Sequence, residues 1–192
     1  MFEAMIDDLK RKTKEYCGTW GYAHCQRVKR HILELGASKQ YNEELLEIAL
    51  WLHDWGAYPT FLEQGRDHVE KSLEVAAAYL GERALNQGLS QSQIKHILEC
   101  IEVHHSGSEV NSIEAILLGD ADRLDMLGIV GVMRDFSRNP KEMRTAYETA
   151  MNRAKTYPSE MILKSARGLA EQRSAEMLRL LKAFEEQCEN IF

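Results

Sequence analysis

Apolar residues along this chain recur three and four positions apart and almost never alternate, so the pattern predicts one helix after another. The first helix is expected to end at Gly18, and a second to run from about Thr19 to Gly36. The third, about Asn42 to Trp55, carries Glu43 and Glu44 in its first turn, where the helix dipole favours acids. Gly56 suits the left-handed residue that closes such a helix, and Pro59 prevents its resumption. Asp67, with Glu70 three residues on, resembles a capping box and opens a fourth helix that ends at Gly81. Ser90 with Gln93 opens a fifth in the same way, reaching about His105 before a loop at Ser106-Gly107-Ser108. A sixth, strongly apolar helix is expected from about Ser112 towards Ser137. Asn139-Pro140 is a cap followed by a first-turn proline and starts a seventh; Pro158 starts a long, charged C-terminal helix. No linker, repeat or low-complexity stretch interrupts the series, so the expected fold is an all-α, single-domain helical bundle over residues 1–192.

Charge narrows the partners. The net charge of −6 argues against a nucleic-acid polymer, though a local basic pocket for a small phosphorylated ligand is compatible with it. The four cysteines, Cys17, Cys25, Cys100 and Cys188, have no C-x-x-C spacing and read as free thiols of a reducing compartment. No apolar run approaches the ~18–20 residues of a membrane span, and the charged N-terminus lacks the apolar region of a signal peptide. A cytoplasmic protein with no membrane partner is expected.

The histidines carry the candidate chemistry. His53 ends the stripe Leu45, Leu46, Ala49 and so faces the core at a helix C-terminus, with Asp54 about 100° further round. His24 lies on the side of Val28 and His31; His68 opens the fourth helix; His104 and His105 close the fifth beside Ile97 and Ile101. On the sixth helix Asp120, Asp122 and Asp125 sit in a segment apolar on both faces, with Arg123 available to neutralise one of them. Buried carboxylates beside buried imidazoles are expensive unless compensated. A divalent cation is the economical compensation, and mixed histidine/carboxylate donors suit Mn, Fe or Zn, with Co and Ni as substitutes. His31 and His96 read as ordinary packed or solvated histidines.

The order His24, His53-Asp54, Asp122 resembles the H…HD…D signature of the HD superfamily of metal-dependent phosphohydrolases, and in particular its small bacterial stand-alone members. The flanks agree: Tyr22-Ala-His24-Cys-Gln-Arg27-Val28, then Ala49-Leu-Trp-Leu-His53-Asp54-Trp-Gly56, then Asp120-Ala-Asp-Arg-Leu-Asp-Met-Leu-Gly128. The late segment Leu169-Ala-Glu-Gln-Arg173-Ser-Ala-Glu-Met177 also fits that subgroup. The resemblance implies an HD core at about 20–135 with the C-terminal helices, about 139–191, packed on it. It implies His24, His53, Asp54 and Asp122 as metal ligands and Asp120 as a supporting residue, although helical phase does not choose between the two aspartates. His68, His104 and His105 resemble the additional ligands of two-metal relatives, so one or two ions are expected; which of His104 and His105 faces the metal is left open. Ala57 stands where a lysine is common and the GYP motif is absent, so cyclic dinucleotides are poor candidates.

The implied activity is hydrolysis of a nucleotide or similar small phosphate ester or anhydride by a metal-activated water, with Asp54, His68 and His104 in catalytic roles. Arg27, Lys71 and Arg123 are the candidate cations for substrate, and Arg134, Arg138, Lys141 and Arg144 could steer a phosphate or form a solvated face. Two other classes compete. One is a non-catalytic nucleotide or metal-binding sensor. The other is an interaction protein whose long C-terminal helix pairs two copies into a homodimer.

Overall fold

The computed structural model describes residues 2–83, 87–105, 111–138, 140–189 and 191. The expected loop Ser106-Gly107-Ser108 and the cap Asn139 lie outside these. The described residues form eight α-helices and no strand, so the protein is all-α. None of the helices is long and apolar enough to cross a membrane. Internal contacts divide the chain into two compact units, Met1–Gly119 and Asp120–Phe192.

The first unit contains α1 (Glu3–Gly36), α2 (Glu43–Leu52), α3 (His68–Arg83), α4 (Gln91–Val103) and the start of α5 (Ile113–Asp125). Gly18, at φ 66° and ψ −158°, breaks α1 into the two segments that the sequence predicts. Asn42 caps α2 by accepting the Leu45 N–H, and Ser90 and Gln93 complete the expected capping box on α4. α2 packs on α1 and α4, and α3 packs on α4 and on the short 3-10 turn Trp55–Ala57. The fully buried residues Leu46, Ile48, Leu50 and Leu52 make most of the circumference of α2 apolar and put it at the centre of this unit, with Glu47 left on a half-exposed strip beside Lys29.

Three expectations fail here, the first being the end of the third helix, which stops at Leu52 rather than at about Trp55. Gly56 is not left-handed: it lies inside the 3-10 turn, and the left-handed glycines among the described residues are Gly18, Gly65, Gly88 and Gly128. What it supplies is closeness. A Cβ on Gly56 would strike the backbone of α3 at His68 and Ser72. Gly81 does not end α3, which continues to Arg83. A single glycine costs a helix only about 1 kcal/mol relative to alanine, too little to stop one.

The second unit contains the end of α5 with α6 (Gly128–Arg138), α7 (Met143–Glu160) and α8 (Lys164–Gln187). The single sixth helix expected from Ser112 to Ser137 is therefore two helices, divided at Met126-Leu127. Gly128, at φ 75°, makes the left-handed turn, and Gly131 lets α6 pass against the Met126 carbonyl. The seventh helix begins at Met143 rather than at Pro140. Pro158 does not start the C-terminal helix but lies in the last turn of α7, where it removes the bond its N–H would have made to the Ala154 carbonyl, and the helix ends two residues later. Ala146, Ala150 and Ala154 on α7, with Ala166 and Ala170 on α8, are buried, and these small side chains allow the two helices to approach closely.

Candidate metal centre

The last residues of α2 determine the geometry of the centre. The helix ends at Leu52, His53 keeps helical angles as its C-cap, and Asp54 falls into the bridge region at φ −106°, ψ 6°. Anchors on either side hold this corner. Trp55 stacks edge-on against Tyr16 and Tyr79, and its indole N–H donates to Thr13 Oγ1 at 3.0 Å. The Thr13 hydroxyl donates to the Trp51 carbonyl at 3.2 Å, so the early part of α1 grips both ends of the His53-Asp54 step.

His24, from the later segment of α1, meets this corner. Its Nε2 lies 3.4 Å from His53 Nε2 and 3.5 Å from Asp54 Oδ2, and His53 Nε2 is 3.8 Å from the same oxygen. All three residues are buried. The His53 Nδ1–H donates to the Leu50 carbonyl at 2.6 Å, which leaves Nε2 as the lone-pair nitrogen pointed at the other two. Donor separations of about 3.4 Å are the edges of a tetrahedral shell with bonds of about 2.1 Å. The residues therefore fit a cation of the transition series in spacing as well as in chemistry.

A second group adjoins it. Donor atoms of Asp54, His68, His104 and His105 all lie within 4.8 Å of one another, so Asp54 belongs to both groups. His68 is the first residue of α3, whose N-cap Asp67 accepts the N–H of Val69 and of Glu70 at 2.8 and 3.2 Å. His104 is the C-cap of α4, and its Nδ1–H donates to the Ile101 carbonyl at 2.5 Å, the same arrangement as at His53. The rings of His104 and His105 sit 4.3 Å apart, and the His53 and His104 rings meet edge-on at 5.1 Å. Both His104 and His105 thus reach the group; His104 is buried and His105 half-buried. Nearby, burial first and then the neighbouring Cys25 and Asp54 push the Tyr58 hydroxyl far above the usual phenol range, so it remains a neutral donor.

The remaining sequence candidates occupy varied places. Asp122 is buried on α5 in the second unit. Asp120, also buried, accepts the N–H of Ile162 at 3.1 Å and of Leu163 at 2.8 Å, so both carboxylate oxygens serve the start of α8. Arg123 pairs with Glu160 at 3.5 Å. Lys71 is held by Glu63 and Glu74 at 2.5 and 2.8 Å, and Arg27 lies 5.6 Å over the Trp20 ring. His96 pairs with Glu114 at 3.4 Å, and the buried His31 lies 3.9 Å from Glu34. Arg134 is buried, whereas Arg138, Lys141 and Arg144 are exposed, so the four do not share one face. Sequence reasoning missed Thr13, Tyr58, Ser72 and the carbonyls of Leu50 and Ile101. The first three leave no pattern of their own. The carbonyls could have been found, because each lies three residues before a histidine at a helix end.

A family model described as HD domain matches residues 21–127. A search of curated proteins finds no significant match. Among solved structures, that of Bacillus subtilis YpgQ in complex with ADP aligns at 22% identity over 97% of each chain, with a TM-score of 0.72. An HD-superfamily hydrolase from Bacillus thuringiensis aligns at 20% identity over 98% of this chain and 99% of its own, also with a TM-score of 0.72. A predicted HD superfamily hydrolase from an uncultured Thermotogales bacterium aligns at 23% identity over 97% and 92%, with a TM-score of 0.64. At these identities the likeness is one of fold.

Proposed function

Because this chain belongs to the HD domain family, we propose that it is a metal-dependent phosphohydrolase acting on a nucleotide or similar small phosphate ester or anhydride. The observation that carries the reading is the cluster of buried and half-buried donors around Asp54, whose carboxylate lies 3.5 and 3.8 Å from His24 and His53 and within 4.8 Å of donors on His68, His104 and His105. The ADP bound to the structurally similar YpgQ supports a nucleotide as the substrate class. His24, His53 and Asp54 would hold one divalent cation, and His68, His104 and His105, with Asp54 between the two groups, a second. Asp122 is proposed as a further ligand from its place in the ordered sequence motif alone. The four free cysteines fit a reducing cytoplasm.

A divalent cation at these donors supplies Lewis acidity, drawing charge from a phosphoryl oxygen and lowering the pKa of a water. The chain's own residues do the rest. The Leu50 and Ile101 carbonyls keep the proton of His53 and His104 on Nδ1, so that Nε2 faces inward. Asp54, bridging the groups, fixes the separation of the two sets of imidazoles. With a single cation bound, His68 would stay uncoordinated, and its half-buried ring would hand a proton between solvent and a leaving oxygen.

The test is elemental analysis of protein purified without chelators, followed by a screen of nucleotides and a chromogenic phosphodiester. The wild type is expected to carry a transition metal and to turn over at least one of these, and His53→Ala to lose both properties. Hydrolysis at the normal rate by His53→Ala would overturn the reading; tight nucleotide binding without turnover would favour a sensor instead.

A further inference from the structure

We propose that Asp120 and Arg173 act as positioning residues that clamp the turn carrying Asp122, an inference that rests on Asp122 being a metal ligand. Two hydrogen-bonded ties run between α5 and the α8 region, and they bracket Asp122 by two residues on each side. On the N-terminal side, the Asp120 carboxylate accepts the N–H groups of Ile162 and Leu163, and Leu163 is the N-cap of α8. On the C-terminal side, Arg173 Nη1, from the middle of α8, donates to the Leu124 carbonyl at 2.6 Å.

The turn needs such ties because it is the last one of its helix. The Met126 N–H is shared between the Asp122 and Arg123 carbonyls at 3.2 Å each, and Leu127 N–H reaches Leu124 at 3.3 Å. Long, shared bonds of this kind mark a fraying helix end. Arg173 brings a guanidinium to the negative end of the helix dipole and supplies a donor to a terminal carbonyl. The Arg173 stem also lies 3.8 Å from the position a Cβ would take on Gly128, so it covers the left-handed residue that turns the chain into α6. Asp120 in turn supplies the acceptor that the start of α8 lacks, since Leu163 makes no side-chain cap. Each helix thus completes the other's terminus, and the carboxylate between the ties is held by both.

Mn2+ binding, followed by loss of the free-ion paramagnetic resonance signal, tests this without reference to turnover. Arg173→Ala and Asp120→Asn are expected to weaken Mn2+ about 10- to 100-fold, the usual effect of losing a group that orients a ligand, while circular dichroism retains the wild-type helix content. Arg173→Lys, which keeps a donor and the charge, is expected to recover most of the affinity. Wild-type affinity in both Arg173→Ala and Asp120→Asn would overturn the clamp and leave the metal reading intact, as would Arg173→Lys behaving like Arg173→Ala. A wild-type protein that takes up no Mn2+ would overturn the metal reading and the clamp together.

Discussion

Replacing Gly56 by alanine tests how α3 is held against the corner that carries His53 and Asp54. A methyl group there would lie 2.8 Å from the Lys71 carbonyl carbon and closer still to the His68 carbonyl oxygen and the Ser72 nitrogen. Carbon atoms in contact need about 3.5–4.0 Å, so α3 must retreat by about 1 Å. All three obstructing atoms are backbone, and no side chain can swing aside. The retreat also stretches the bond from Gly56 N–H to the buried Ser72 hydroxyl, 2.9 Å in the native protein. Overpacking costs about 1–3 kcal/mol, and weakening a buried hydrogen bond adds about 1 kcal/mol, so a loss of about 3 kcal/mol is expected. At about 2–4 °C per kcal/mol for a chain of this size, the melting temperature should fall by roughly 6–12 °C. His68 sits on the obstructed turn and would move away from Asp54 with it. A misplacement of about 1 Å can cost on the order of 100-fold in rate, so kcat/KM on a chromogenic phosphodiester should fall by about that factor. Thermal melts by circular dichroism and steady-state kinetics provide both numbers. A Gly56→Ala protein that melts and turns over like the wild type would refute the close-approach argument, since Gly56 has no left-handed φ to explain its presence otherwise.

Gly81→Ala should do the opposite. Gly81 lies within α3 with nothing within 4 Å of the position its Cβ would take, so the variant should gain about 0.4–1 kcal/mol in urea unfolding; a loss would show that the position is constrained. Burial pushes the Cys100 thiol up to about 12, so at pH 8 only on the order of one molecule in 10⁴ carries the thiolate there. Iodoacetamide at pH 8 should therefore label the half-buried Cys188 in the native protein and Cys100 only after unfolding, as read by peptide mass spectrometry; native labelling of Cys100 would contradict this.

Helix starts with a side-chain cap were legible in the sequence because they are chemically local, whereas α7 and α8 start without one, at Met143 and Lys164, and the pattern misplaces them. Asn42, Asp67 and Ser90 accept N–H groups two or three residues ahead, and such a signal needs no knowledge of the rest of the molecule. Helix ends were less legible. The division of the sixth predicted helix depends on Gly128 adopting a positive φ where other glycines, such as Gly81, stay helical, and periodicity does not distinguish the two. Pro158 suits a first turn, where a missing N–H costs nothing, but stands in a last turn, at the cost of one helix bond. In the site, the candidates His24, His53, Asp54, His68, His104 and His105 do converge, because the apolar stripes that point a histidine inward are visible in the sequence. The engagement of Lys71 by Glu63 and Glu74 was not visible, since Glu63 stands eight residues away in a turn before α3. Likewise, nothing around Asp120 shows that its partners lie 42 and 43 residues further on.

The bonds from His53 to Leu50 and from His104 to Ile101 have a consequence for how such a centre can vary. The final carbonyls of a helix have no donor within the helix and must find one elsewhere. At the ends of α2 and α4 the imidazole itself meets that demand, so one proton both finishes the helix and chooses which nitrogen is left for a cation. The two roles cannot drift apart. Inserting one residue between Leu50 and His53 would rotate the ring by about 100°, removing the terminal bond and the inward lone pair in a single step. Residues on the outer faces of α2 and α4 are free of this coupling, and their length can change at the N-terminal end without disturbing it. The spacing from the closing carbonyl to the imidazole is the part of the chain that tolerates no insertion.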